Sequence, residues 1–305
     1  MIWRRLMLAV CELELLPIHV LDRVGRLARG LDAQLELLHC VYEPQAVQAW
    51  AGRQRAAEVI GARVEERRRR LERLADVLRD QGLKVEANVR WDTPTFEGIV
   101  RHAERNKPDV LIIPGLHLDK GLRTAAFREG RLIGESPAPV LFLKTREVYS
   151  QGCVVAALDP QPQQGSGDLE ETVVGAARTV ASALAGSPVR LFSALLPGRL
   201  ASYGGAAAGG DVGFPGQAAR VAETEARLRR LAAHHAISID DVRVELGEEL
   251  SLALYAREAR AQMIVLGAGS LAVAQGDPGP PLVERMLKAL DCDLLVVKAR
   301  HTPDA

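Results

Sequence analysis

Met263-Ile264-Val265-Leu266-Gly267-Ala268-Gly269-Ser270 decides how the rest of this chain is read. Four consecutive apolar residues run straight into a glycine-bearing turn. A short apolar run closed by turn residues reads as a strand buried on both faces, the habit of parallel sheets. After a helical stretch, Asp293-Leu294-Leu295-Val296-Val297-Lys298 repeats the pattern. Two such strands joined by a crossover predict a parallel pair. In open parallel sheets, ligands sit beyond the carboxyl ends of the strands. The turn from Gly267 to Ser270 is therefore where a phosphate would be held.

Both runs have counterparts earlier in the chain. Asp109-Val110-Leu111-Ile112-Ile113 falls on Gln262-Met263-Ile264-Val265-Leu266, and Pro139-Val140-Leu141-Phe142-Leu143-Lys144 falls on Asp293 to Lys298. A repeat of about 150 residues means two domains rather than a solenoid. The join falls within 148–152, giving domains 1–148 and 149–305. In the first half, strands are expected over 6–10, 34–41, 83–90, 110–113 and 140–143. Helices are expected over 16–31, 49–81, 93–106 and 122–133, with Gly82 as a stop, Thr93 as an N-cap and Pro94 at the first helical position. The second half repeats this with strands over 153–158, 189–195 and 241–246 and the two opening runs, and helices over 169–184, 218–236 and 249–261. Residues 197–217, rich in glycine and alanine, read as a mobile loop. The fold class is α/β: two tandem Rossmann-like domains, each a five-stranded parallel sheet flanked by helices.

Composition narrows the function. Lys plus Arg and Asp plus Glu both total 39 in the 305 residues, so the net charge is zero. No electrostatic case exists for a nucleic-acid partner or an anionic membrane surface. Aromatics at 4% also argue against base-stacking platforms. The run Arg67-Arg68-Arg69-Arg70 lies among Glu65, Glu66, Glu72 and Asp76 at helical spacing, so it reads as a self-paired, solvated face. Four scattered cysteines (Cys11, Cys40, Cys153, Cys292) form no CxxC pair, which points to a reducing cytoplasm without a zinc site or disulfide framework. The basic, apolar N-terminus is broken by Cys11-Glu12-Leu13-Glu14 and reads as a first strand, not a signal peptide. No apolar run is long enough for a membrane span. G-x-S-x-G, HExxH and P-loop motifs are absent.

The order of elements, with Val89-Arg90-Trp91-Asp92-Thr93-Pro94-Thr95-Phe96-Glu97, the bridge over 144–160 and Leu290-Asp291-Cys292-Asp293-Leu294-Leu295-Val296-Val297-Lys298, resembles the universal stress protein family in its tandem form. The resemblance implies a Rossmann-like fold with nucleotide binding at the carboxyl edge in some members. Those members share an acid at the end of the first strand and a G-x2-G-x9-G-[ST] run after the fourth. Glycines there let backbone N–H groups approach phosphates. In the second half, Asp159 fills the acidic position and Gly267 the first glycine, but Ser270 replaces the second glycine and Pro280-Pro281 the final pair. Proline carries no N–H, so donors are lost. In the first half Cys11 replaces the acid and Pro114 the first glycine, with Gly115 one residue late, His117 at the second and Ala126 near the third.

Neither half is expected to hold ATP in the family manner. The resemblance then implies a non-enzymatic cytoplasmic stress-response protein that binds a small or amphipathic ligand, beneath the 197–217 loop, or a protein partner. The alternative is an ATP-binding stress protein with slow ATPase activity, using Asp159, Gly267, Gly269 and Ser270 as cofactor-binding residues. Each of these also has a plain reading: the glycines and Ser270 turn the chain after a strand, and Asp159 before Pro160 closes one. No catalytic residue is assigned and no metal is expected. His102, His117 and the pair His234-His235 have no carboxylate or cysteine at ligand spacing, and His234-His235 sit at a helix end that favours imidazolium, so they read as structural or surface residues. Cys11 and Cys153 read as small buried apolar residues. The family's dimers pair through the fifth strand. The resemblance therefore implies an internal pseudo-dimer with 140–144 and 294–298 at its interface, and room for further homodimerisation.

Overall fold

The computed structural model describes residues 2–10, 13, 16–43, 53–93, 95–114, 129–144, 149, 152–159, 167–195, 217–247, 250–268 and 282–298. The expected 197–217 loop, apart from residue 217, and Cys11, Gly115, His117, Ala126, Gly269, Ser270 and Pro280-Pro281 lie outside the described residues. Two compact units emerge: Met1–Tyr149 with Ser182–Ala185, and Ser150–Ala181 with Gly186–Ala305.

The first unit runs β1 (Arg5–Ala9), α1 (Ile18–Leu31), β2 (Gln34–Val41), α2 (Arg53–Arg79), β3 (Val85–Trp91), α3 (Thr95–Asn106), β4 (Val110–Pro114), α4 (Glu129–Glu135) and β5 (Val140–Leu143). All its strand pairings are parallel, in the order β3-β2-β1-β4-β5. The second unit runs β6 (Cys153–Ala157), α5 (Gly167–Ala183), β7 (Val189–Leu195), α6 (Gln217–His234), β8 (Val242–Leu246), α7 (Leu250–Glu258), β9 (Ala261–Gly267), α8 (Leu282–Ala289) and β10 (Asp293–Val297). Its order is β8-β7-β6-β9-β10, again parallel throughout. This is the expected α/β fold of parallel sheet and flanking helices.

Burial follows from position in the sheet. The strands flanked on both sides within these orders, among them β1, β4, β6 and β9, are near-continuous apolar runs, the habit of parallel strands covered by helices. Strands β3 and β8, at the far ends of these orders, are only partly buried, as the alternation in 83–90 foretold. Helices dock through stripes three and four residues apart, such as Val20, Leu21, Val24, Leu27 and Ala28 on α1 and Leu71, Ala75 and Leu78 on α2. At the end of the first unit the buried Arg23 lies 4.0 Å from the centroid of the Tyr149 ring, and Arg26 donates to the Tyr149 carbonyl at 3.0 Å.

Helix ends differ from expectation in an informative way. Gly82, at φ +82°, closes α2, but the last helical residue is Arg79 rather than Gln81. Helix α7 stops at Glu258, where the sequence pattern continues to Ala261. The reason is Arg260, which takes φ +50° and donates its N–H to the Arg257 carbonyl at 3.1 Å, releasing Ala261 to begin β9. Ala236, at φ +53°, ends the turn after α6 in the same way. The described part of α3 begins at Thr95; Pro94, the expected first helical position, lies outside the described residues, and the Thr93 N–H is taken by the Asp92 carboxylate at 2.9 Å. The described part of α4 reaches Glu135, two residues past the expected end.

Candidate functional site

The crevice of an open parallel sheet opens where neighbouring crossovers leave in opposite directions. In the second unit that point lies between β6 and β9, whose pairing brings Ala157 beside Leu266. Asp159 follows β6 and Gly267 ends β9, so two of the residues singled out in sequence lie at this edge. Gly269 and Ser270 lie outside the described residues.

The chain leaving β6 is pinned twice. Leu158 donates its N–H to the Phe192 carbonyl at 2.9 Å, and the buried Ser193 hydroxyl donates to the Leu158 carbonyl at 3.0 Å. The first unit repeats this: Val10 N–H to the Leu38 carbonyl at 2.7 Å, and His39 Nδ1 to the Val10 carbonyl at 2.6 Å. A carbonyl can only accept, so His39 carries its proton on Nδ1. His39 and Ser193 escaped the sequence reading. The available signal was a polar residue late in an otherwise apolar strand.

Above this pin stands Arg227 of α6. Its Nη2 donates to the Asp159 carbonyl at 2.7 Å, and its Nη1 pairs with Glu170 of α5. Both side chains are mostly buried, 21% and 14% exposed, so this pair is largely shielded from water. Gly267 is fully backed: a Cβ there would lie 2.8 Å from Leu169 Cδ2 and 2.9 Å from Cγ. A leucine side chain thus occupies the space beside the glycine that a phosphate-binding glycine leaves open. In the first unit β4 ends in Pro114, which brings no N–H to the equivalent edge.

Beyond β3 of the first unit, Arg101 joins Asp92 at 2.6 Å and Glu97 at 3.3 Å. The Arg101 guanidinium is the main influence holding the Asp92 carboxyl below its usual range, with the Thr93 N–H assisting against burial. Gly98 makes room, since a Cβ there would lie 2.8 Å from Asp92 Cβ. The Val89-to-Glu97 stretch is therefore a clamp on the start of α3. The arginine run behaves as a paired face with two differences: Arg70 pairs with Glu66 at 2.7 Å as expected, but Arg67 reaches Glu43 at 2.9 Å, and Glu72 and Asp76 both turn to Arg79.

Two histidine environments emerge. His102 on α3 is buried and its Nε2 lies 2.5 Å from Glu36 on β2. Asn88 and Asn106 also donate to Glu36, at 2.7 and 3.3 Å. Burial pushes the Glu36 carboxyl up, but bonds from His102, Asn88 and Asn106 outweigh it and its pKa is lowered. The network ties α3 to β2 and β3 through one buried carboxylate. His234 and His235 have no acid near them in sequence, yet folding brings Glu171 of α5 to 2.6 Å from His235. Cys40, Cys153 and Cys292 are buried, and burial pushes the Cys40 thiol up to about 12.

Residues 3–144 match the model of the universal stress protein family. Among solved structures, a functionally unknown protein from Pseudomonas aeruginosa PAO1 is similar over 97% of this chain and 93% of its own, at 22% identity and a TM-score of 0.67. A universal stress protein from Archaeoglobus fulgidus DSM 4304 is similar over 97% and 98%, at 14% identity and 0.65. The cytoplasmic domain of a prokaryotic cation chloride cotransporter follows over 97% and 96%, at 11% and 0.56. At these identities the likeness is one of fold. No curated protein matches the chain in sequence. Among the described residues, no helix is long and apolar enough to cross a membrane.

Proposed function

We propose that this chain is a tandem universal stress protein, most like universal stress protein E, that acts in the cytoplasm by binding a ligand or partner and not by turnover. The family match of the first half supports the class. The observation that carries the non-enzymatic reading is Leu169 packed against Gly267, with Arg227 and Glu170 closed over the carbonyl of Asp159. A nucleotide bound in the family manner would need backbone donors along this edge, and proline stands in place of the last glycine pair in sequence. A small or amphipathic ligand, or a protein partner, is the occupant this reading assigns to the carboxyl edge.

A second reading keeps ATP and slow hydrolysis. It draws on Asp159 and Gly267 lying at the carboxyl ends of paired strands, where the family's acid and first glycine belong. One experiment separates the two: thermal unfolding of the full chain with magnesium and ATP. A ligand present at 100 times its dissociation constant stabilises a fold by about 2.7 kcal/mol, a shift of a few degrees for domains of this size. No shift is expected. An ATP-dependent rise that disappears in Gly267→Val would overturn the first reading and install the second.

A further inference from the structure

The last helical residue of α6 is His234, and His235 follows it directly. Their rings meet edge to face with centroids 5.1 Å apart. Across from them, Glu171 of α5 places Oε2 at 2.6 Å from His235 Nε2. One donor atom from each of Glu171, His234 and His235 lies within 4.8 Å of the other two. Around one ion with bonds of about 2.0–2.2 Å, tetrahedral donors stand roughly 3.4 Å apart. The three side chains need only close inwards by rotation. Glu171 and His234 are exposed, while His235 is the more enclosed member.

Two features favour a cation here. Two imidazole nitrogens and one carboxylate oxygen are the donor set that borderline divalent ions of the zinc type prefer over magnesium or calcium. The site lies at the carboxyl end of α6, where the helix dipole favours positive charge. The cleft of about 210 Å³ beside His235 presents Arg178 and Asp241, one charge of each sign, and so leaves the local field near balance. An ordinary exposed ion pair would account for Glu171 and His235, but it gives His234 no part. That difference makes the two accounts separable.

We propose that Glu171, His234 and His235 form a binding site for one zinc-type divalent ion, with water completing its coordination. The test uses the full chain, stripped with a chelator and titrated with Co2+ while visible absorption is followed, then challenged with Zn2+. One Co2+ per chain is expected, displaced by Zn2+. His234→Gln and His235→Gln should each weaken binding at least about tenfold. Glu171→Gln, which keeps a hydrogen bond to His235 but removes the anionic donor, should do the same, while His19→Gln should leave binding unchanged. Metal-free circular dichroism and thermal midpoints of the variants should match the parent chain. No bound Co2+, or binding indifferent to His234→Gln or Glu171→Gln, would overturn the site and leave a plain ion pair.

Discussion

Replacing His102 by leucine strands a buried carboxylate, and the size of the effect follows from its surroundings. His102 is 3% exposed and Glu36 9%, so neither is well hydrated. Removing a hydrogen-bonding partner from a buried carboxylate leaves that charge under-compensated, at a cost of about 3–5 kcal/mol. Asn88 and Asn106 still donate to Glu36 in the variant, which places the expected loss near the lower limit, about 3 kcal/mol. The double change Glu36→Leu with His102→Leu removes the charge along with its partner. It should recover part of that loss and retain about 1–2 kcal/mol from the amides left unpaired. Urea unfolding followed by tryptophan fluorescence suits the measurement, because Trp3, Trp50 and Trp91 all lie in the first half of the sequence. With a slope of about 2 kcal/mol per molar urea, the single variant should unfold about 1.5 M earlier. The pH dependence has a definite sign. Because Glu36 is lowered from 4.5 in the folded state, its contribution is full above that value and is lost as pH falls through the folded pKa. The acid sensitivity of the first unit below about pH 4.5 should therefore weaken in Glu36→Gln. A His102→Leu midpoint within about 0.2 M of the parent, or a double variant as unstable as the sum of both singles, would refute the reasoning.

Gly267→Ala should destabilise the second unit by about 1–2 kcal/mol through overpacking against Leu169, and the same change in a Leu169→Ala background should cost almost nothing; differential scanning calorimetry of the four chains reads the coupling. Cys40, with its thiol at about 12, is ionised at pH 8 in roughly one molecule in ten thousand. Mass spectrometry after brief DTNB treatment of the folded chain should find Cys40, Cys153 and Cys292 unmodified, and all three labelled in urea. Fast labelling of Cys40 in the folded chain would contradict its burial.

The strands were legible because the inner ones are blocks of apolar residues, as in Val110 to Ile113 or Met263 to Leu266, with no competing helical period. Their ends were legible where glycine marks the turn, at Gly82. They were not where Arg260, Ala236 and Ala185 adopt the left-handed conformation, since these residue types carry no signal for the helix-end turn that the backbone closes there. The candidate site divides in the same manner. Asp159 and Gly267 follow from strand position. The Leu169 side chain behind Gly267, the Arg227–Glu170 pair and the approach of Glu171 to His235 each join residues from different elements, and no spacing along the chain encodes them. His39 and Ser193 fall between these cases, since each is a polar residue in an apolar strand whose purpose appears only beside the carbonyl it holds.

The central place of β1 bears on how the chain is made. Leu6 pairs with Leu35 on one side and with Val110 on the other, and the second partner lies 110 − 6 = 104 residues downstream. A ribosome adding about 5–20 residues each second leaves the far edge of β1 uncovered for several seconds at least. Over that interval, a row of unpaired backbone donors and acceptors on an apolar strand is open to other nascent chains. Changes that slow synthesis between β2 and β4 should therefore lower the yield of soluble protein without touching the stability of the finished molecule.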